Sequence, residues 1–259
     1  MGEQWPRGRR ARSYSGAVRT LGLIGGMSWV STAHYYRVIN ELVADRLGGL
    51  HSARVILDSV DFAEIEALKL AGDWDGVAER LAESGRRLEA AGADALVLCT
   101  NTMHNVASAI EVAVTVPFLH IADTTARAVA AAGLTRVGLL ATAFTMEESF
   151  YVSRFASFGV SVVTPDAEDR AAVSQIIYDE LCHNIVRDSS REVYRDVVGR
   201  MAGVQGVILG CTEVELLLGP DDVAVPVFPT TLLHAQAAVD FALSAPAPAT
   251  SASSGDAAR

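Results

Sequence analysis

The chain has 259 residues, of which 50% are hydrophobic and 20% charged, a composition that folds around a sizeable core instead of staying disordered. A formal net charge of -10 argues against nucleic acid or an anionic membrane as partner, because affinity for phosphate comes from clustered Lys and Arg, and leaves small molecules as the expected ligands. Three cysteines are too few for a disulfide scaffold and no stretch reaches the roughly eighteen apolar residues of a membrane span, so free thiols in a reducing, cytoplasmic compartment are expected.

Residues 1–18 are rich in Arg, Ser and Gly and are read as a mobile tail; the apolar run Leu21 to Ile24 that follows is too short for a signal-peptide core. Short β-branched or Leu-rich runs then alternate with longer amphipathic stretches. The runs begin at Thr20, Arg54, Ala95, Phe118, Arg136, Val160, Gly206 and Val225. That alternation predicts an α/β fold with mostly parallel sheets flanked by helices. Residues 231–243 read as a C-terminal helix packing back on the first lobe, and the Ala/Pro/Ser-rich residues 244–259 as a second mobile tail.

The chain also repeats itself. Leu21-Gly22-Leu23-Ile24 is answered by Val137-Gly138-Leu139-Leu140, Leu98-Cys99-Thr100 by Gly210-Cys211-Thr212, and Val116-Pro117 by Val225-Pro226, at offsets of about 110 residues. Two pseudo-symmetric lobes, 19–120 and 121–230, are expected, with the site in the cleft between them. Ligands of parallel sheets sit beyond the carboxyl ends of the strands. The candidate loops are therefore Gly25 to Ser28, Cys99 to Thr102, Ala141 to Ala143, and Cys211 to Glu213.

Cys211 stands at a strand end before a possible helix, where the dipole and free N–H groups would lower a thiol pKa from about 8.5. The plainer reading is a small buried apolar residue. Cys182, in the middle of a helical pattern, has no such context. The cysteines and histidines show no metal-ligand spacing, and neither a dinucleotide nor a phosphate-loop fingerprint is present, so no metal and no cofactor are expected. Gly25-Gly26-Met27 reads as a tight turn offering backbone N–H groups to a small carboxylate.

The segments Leu-Gly-Leu-Ile-Gly-Gly-Met-Ser-Trp (21 to 29), Leu-Cys-Thr-Asn-Thr-Met-His (98 to 104) and Leu-Gly-Cys-Thr-Glu (209 to 213) resemble the aspartate/glutamate racemase family. Within it, Arg-Leu-Gly-Gly-Leu-His-Ser-Ala (46 to 53) and Ser-Val-Asp-Phe (59 to 62) are similar to a bacterial broad-substrate branch. The likeness covers residues 19 to 243. It implies a cofactor-independent racemase or epimerase of amino acids, acidic or of a broader set, and a homodimer. It also implies two acid/base groups on opposite faces of the substrate Cα, because inversion needs one group to remove the α-proton and another to return one from the far side.

In the family's usual first motif Cys stands directly before Asn-Thr, whereas here Thr100 does. Carrying the family pattern over gives Thr100 and Cys211 as the catalytic pair, with Cys99 as the rival. Strand alternation would turn Cys99 away from the face that Thr100 looks to. Substrate contacts are expected from Met27, Lys69, Asn101, Thr102, Thr142, Thr212 and Glu213. Lys69, the only lysine in the chain, is either the cation for an acidic side chain or a solvated helix residue neutralised by Glu64 and Glu66. Where the family usually reads Phe-Asp-Thr, Pro229 removes a carboxylate and a backbone N–H. Two other readings stay open: a single-cysteine decarboxylase or cis-trans isomerase of related architecture, and a noncatalytic amino-acid-binding relative.

Overall fold

The computed structural model describes residues 18–183 and 185–244; apart from Val18 and Ser244, the two ends read as mobile tails lie outside the described residues. In the first lobe β1 (Thr20–Gly25) leads to α1 (Trp29–Leu47), β2 (Arg54–Ser59), α2 (Phe62–Leu70), α3 (Trp74–Ala90) and β3 (Ala95–Leu98). A 3-10 turn (Thr102–Val106), α4 (Ala107–Ala113) and β4 (Phe118–Leu119) complete its sheet. The second lobe repeats the plan with α5 (Ile121–Ala131), β5 (Arg136–Leu140), α6 (Ala143–Glu147), α7 (Ser149–Ala156), β6 (Ser161–Val163) and α8 (Ala167–Asp179). A 3-10 turn (Leu181–His183), α9 (Asp188–Arg200), β7 (Val207–Leu209), α10 (Val214–Leu217), β8 (Val227–Pro229) and α11 (Thr230–Leu243) follow.

The eight strands form two four-stranded sheets, ordered β2-β1-β3-β4 and β6-β5-β7-β8, and every pairing is parallel. Helices cover both faces, so the central strands are buried on both sides; β1, Thr-Leu-Gly-Leu-Ile-Gly, is buried along its whole length. Its side chains alternate between two cores. Leu21 and Leu23, with Val97 and Cys99 of the β3 end, pack under α1 and α11, whereas Ile24, Leu96 and Leu98 pack under α2, α3 and α4.

The helices begin where side chains accept the first free N–H groups. Ser28 accepts from Ser31 N ahead of α1, Asp73 from Gly76 N ahead of α3, and Asp166 from Asp169 N ahead of α8. Along α3, Val77, Leu81, Ser84, Gly85 and Leu88 form the buried stripe with a helical period. α11 has no such cap of its own, since Pro229 precedes it. Glu215 of α10 supplies the missing acceptor: its Oε1 takes Thr231 N–H at 2.7 Å.

α11 follows the last strand of the second sheet yet lies against α1 of the first. Ala235, Ala238, Val239 and Ala242 are buried in one cluster with Leu23, Tyr35 and Ile39. The small alanines let the two helices approach closely, and each large side chain so buried contributes about 1.5 to 3 kcal/mol. At the centre of this contact Tyr35 Oη lies 3.0 Å from His234 Nδ1, while His234 Nε2 lies 2.6 Å from Leu119 O. The carbonyl can only accept, so Nε2 carries the imidazole proton and Tyr35 donates to Nδ1.

Candidate active site

In each sheet the chain turns to one side after the first strand and to the other after the third, which leaves a crevice at the carboxyl ends of β1 and β3 and again of β5 and β7. The two crevices face each other across one cavity of about 290 Å³. Its walls include Met27, Lys69, Thr100, Asn101, Thr102, Thr142, Cys211, Thr212 and Glu213. A space of this size accommodates one small metabolite and excludes a dinucleotide.

The first-lobe wall is set by the end of β3. Cys99 is fully buried in the core under α1, so its thiol is pushed far up by desolvation and does not reach the cavity lining. Thr100, one residue on, lines the cavity. Its carbonyl lies 2.7 Å from His104 Nδ1, and His104 Nε2 accepts Ile121 N–H at 3.2 Å. That pair of contacts assigns the proton to Nδ1 and makes His104 a donor to Thr100 O. Burial, then the neighbouring His120 and His234, hold the His104 pKa well below its usual value, so this strut is uncharged.

The second-lobe wall carries the thiol. Cys211 Sγ donates to Glu213 Oε2 at 3.0 Å, and Ser31 Oγ of the first lobe donates to Glu213 Oε1 at 3.0 Å. The expectation of a lowered thiol pKa is overturned. Burial raises it well above the ordinary value, and the Glu213 carboxylate raises it further. The helix that was to lower it is the four-residue α10, beginning at Val214. Only the Glu213 N–H acts in the expected direction, and it is outweighed. At the β1 loop one of the expected N–H donors is withdrawn. Gly26 has φ +97, and a Cβ there would lie 2.2 Å from Val60 O, so the turn needs glycine. However, its N–H donates to Thr32 Oγ1 at 2.8 Å and is committed within the protein.

Hydrogen bonds across the cleft fix the spacing of the two walls. Asn101 Nδ2 donates to Thr230 Oγ1 at 3.1 Å and Asn101 Oδ1 accepts from Tyr151 Oη at 3.3 Å, which locks the carboxamide between lobes. Thr145 Oγ1 lies 3.2 Å from Thr102 Oγ1 and 3.1 Å from Thr142 Oγ1, forming a hydroxyl chain along the rim. Thr231 Oγ1 donates to Thr212 Oγ1 at 3.4 Å.

Two groups of lining residues escaped sequence reasoning. Phe62 and Glu66 share the cavity face of α2 with Lys69, at i, i+4 and i+7, a helical spacing that was legible once Lys69 was singled out. Lys69 Nζ is paired with Glu66 Oε1 at 2.7 Å. Tyr178, Cys182 and His183 come from the end of α8 and the turn after it. No strand-end rule finds them, and the reading of Cys182 as a helix-face residue without context is corrected: it lies in a 3-10 turn on the cavity wall, with its thiol raised to about 11 by burial and by Glu213. Among the described residues no group of three His, Cys, Asp or Glu side chains is arranged to hold a metal ion, and no helix is long and apolar enough to cross a membrane.

The Asp/Glu/hydantoin racemase family model matches residues 24–238, nearly all of both lobes. The chain belongs to this family. Among solved structures it is similar to a candidate Asp/Glu racemase from Yersinia pestis, at 52% identity and a TM-score of 0.83, over 87% of this chain and 100% of that one. An aspartate racemase homologue from Pyrococcus horikoshii is 29% identical with a TM-score of 0.79, over 87% and 100% of the two chains. Glutamate racemase from Francisella tularensis, solved with D-glutamate, shares the two-lobe fold at 15% identity and a TM-score of 0.58, over 86% of this chain and 81% of that one. Among curated proteins, an uncharacterised Pectobacterium carotovorum protein is 35% identical over 102 residues, 39% of this chain and 67% of that protein.

Proposed function

We propose that this member of the family is an amino-acid racemase that inverts Cα by proton removal and return, with Cys211 and Thr100 as the two groups. The observation that carries this reading is that Thr100 and Cys211 occupy equivalent strand ends of opposite lobes and line one cavity. Cys211 gives its thiol proton to Glu213 and takes the α-proton of the L enantiomer. Thr100 returns a proton on the other face and is reprotonated from water in the cleft, and the hydroxide so formed is neutralised by the proton that Glu213 gives up, which restores the starting state. Thr102, Thr142, Thr212 and the loop held by Asn101 supply donors to the substrate carboxylate, which takes on enolate-like charge as the α-proton leaves. Met27 packs against the ligand. The thiol chemistry suits a reducing cytoplasm, and the family resemblance extends the reading to a homodimer.

The test is α-deuterium incorporation in deuterated water, followed by chiral chromatography. Cys211→Ser should abolish exchange from the L enantiomer while the fold persists, because a hydroxyl is a far weaker acid than a thiol. Thr100→Ala should lower racemisation by about 10²-fold or more, whereas Cys99→Ala should cost only packing, of order 1 kcal/mol. Near-normal exchange in Cys211→Ser would sink the assignment. Loss of carbon dioxide, or a product other than the enantiomer, would move the reading to the decarboxylase or cis-trans isomerase class.

A further inference from the structure

The only lysine of the chain stands on the cavity wall, yet its charge is already engaged. Lys69 Nζ lies 2.7 Å from Glu66 Oε1, with side chains 14% and 30% exposed. The second Glu66 oxygen, Oε2, is buried and has no hydrogen-bond partner among the described residues. Lys69 is therefore what compensates a largely desolvated carboxylate. Drawing the ammonium toward a ligand carboxylate would leave Glu66 as an uncompensated, partly buried charge with a buried, unpartnered Oε2, which is unfavourable.

Around this pair the wall is apolar or neutral: Phe62 on the same helix face, and Ile177 and the Tyr178 ring from the opposite lobe. Tyr178 is close enough to Glu66 and Cys211 that, after burial, both push its hydroxyl pKa up. Among the described residues no arginine lines the cavity. With Glu213 on the second-lobe wall, the charged lining groups among the described residues are two carboxylates and one ammonium, beside the imidazole of His183. An acidic amino acid would add a second carboxylate to a site that is already net negative.

Resting on the racemase reading, we infer that Glu66 makes this site select amino acids with a carboxamide side chain, asparagine and glutamine, over the isosteric acids. The amide oxygen accepts one of the Lys69 N–H groups that Glu66 leaves free, and no charge competes with the Lys69–Glu66 pair. A cationic side chain is disfavoured by Lys69 itself. Glu66 thus acts as a specificity residue by neutralising the cation that would otherwise read an acidic substrate.

The experiment compares L-asparagine and L-glutamine with L-aspartate and L-glutamate, by calorimetric titration and by α-deuterium incorporation, in the wild type, Glu66→Gln and Lys69→Met. Interconversion of enantiomers in water is thermoneutral, so the heat reports binding. The wild type should bind each carboxamide at least about tenfold more tightly than its acid, given the cost of like-charge juxtaposition. Glu66→Gln frees Lys69 and should shift the ratio by about tenfold or more toward the acids; Lys69→Met should weaken the acids most. Tighter binding of the acids by the wild type, or a ratio unmoved in Glu66→Gln, overturns the inference, and so does failure of both classes to bind. Selective binding without deuterium uptake would leave the selectivity standing and remove the racemase reading.

Discussion

At the level of single residues, the chemistry rests on how Cys211 loses its proton. A half-buried, desolvated thiol beside a carboxylate stays protonated at neutral pH, so it acts only if the proton has somewhere to go at the moment of reaction. Glu213 Oε2, 3.0 Å away, is that acceptor, and Ser31 holds its other oxygen in place. Glu213→Gln removes the acceptor and with it a negative charge that raises the thiol. The variant should therefore lose about 10² to 10⁴ in exchange rate from the L enantiomer, while Cys211 titrates at lower pH. Iodoacetamide alkylation against pH, in a Cys182→Ser background, reads the second effect. A slower reaction with no shift of that profile to lower pH would mean that Glu213 does not govern the thiol.

Among the elements, α11 shows how a helix start can be rescued at a distance. Proline at its N-cap position offers no side-chain acceptor, and the carboxylate that the family pattern places there comes instead from Glu215 on α10. Desolvation raises the Glu215 pKa to about 7 despite the N–H groups of Thr231 and Leu232, so the cap is only partly ionised near neutrality. Glu215→Ala should cost about 1 to 2 kcal/mol of stability, the usual range for a lost cap. Urea denaturation measures it. Glu215 is not among the cavity-lining residues, so the residual racemase activity of folded variant should stay close to that of the wild type. A variant as stable as the parent would show that α11 holds its N-terminus without this carboxylate.

For the molecule as a whole, three histidines packed where the lobes and α11 meet make stability depend on pH. Burial holds His120 and His234 at about 4 and His104 well below its usual value. Unfolded histidine titrates near 6.5, so between about pH 6.5 and 4 the unfolded chain binds more protons than the fold, and stability falls as the pH drops. Glu215 works in the opposite sense, because its raised pKa makes the fold bind a proton earlier than the unfolded chain does as the pH falls. Three groups outweigh one. Unfolding free energy should be lower at pH 5 than at pH 7. Urea melts at the two pH values check this, and equal or greater stability at pH 5 would contradict neutral burial of the histidines.

The strand runs along the chain, their mostly parallel pairing and the two-lobe repeat were legible in the chain itself; the order of strands within each sheet was not. Central parallel strands are buried on both faces and therefore appear as short uninterrupted apolar runs, and the duplicated Cys-Thr loops mark the strand ends where ligands gather. Period-two alternation likewise separates Cys99 from Thr100 without coordinates. What the linear sequence does not contain is desolvation and the identity of neighbours from other elements. Only the packed structure sets the thiol of Cys211 beside Glu213 and reverses the direction of its pKa shift, and only packing brings Cys182 onto the cavity wall from a turn that no strand-end rule covers. The charge of Lys69 and its possible neutralisation by Glu64 or Glu66 could be read from the sequence; that Glu66 is the partner while Glu64 faces Arg80, and that the pair is partly desolvated, could not, because an i, i+3 pair is a weak surface contact until the fold covers it.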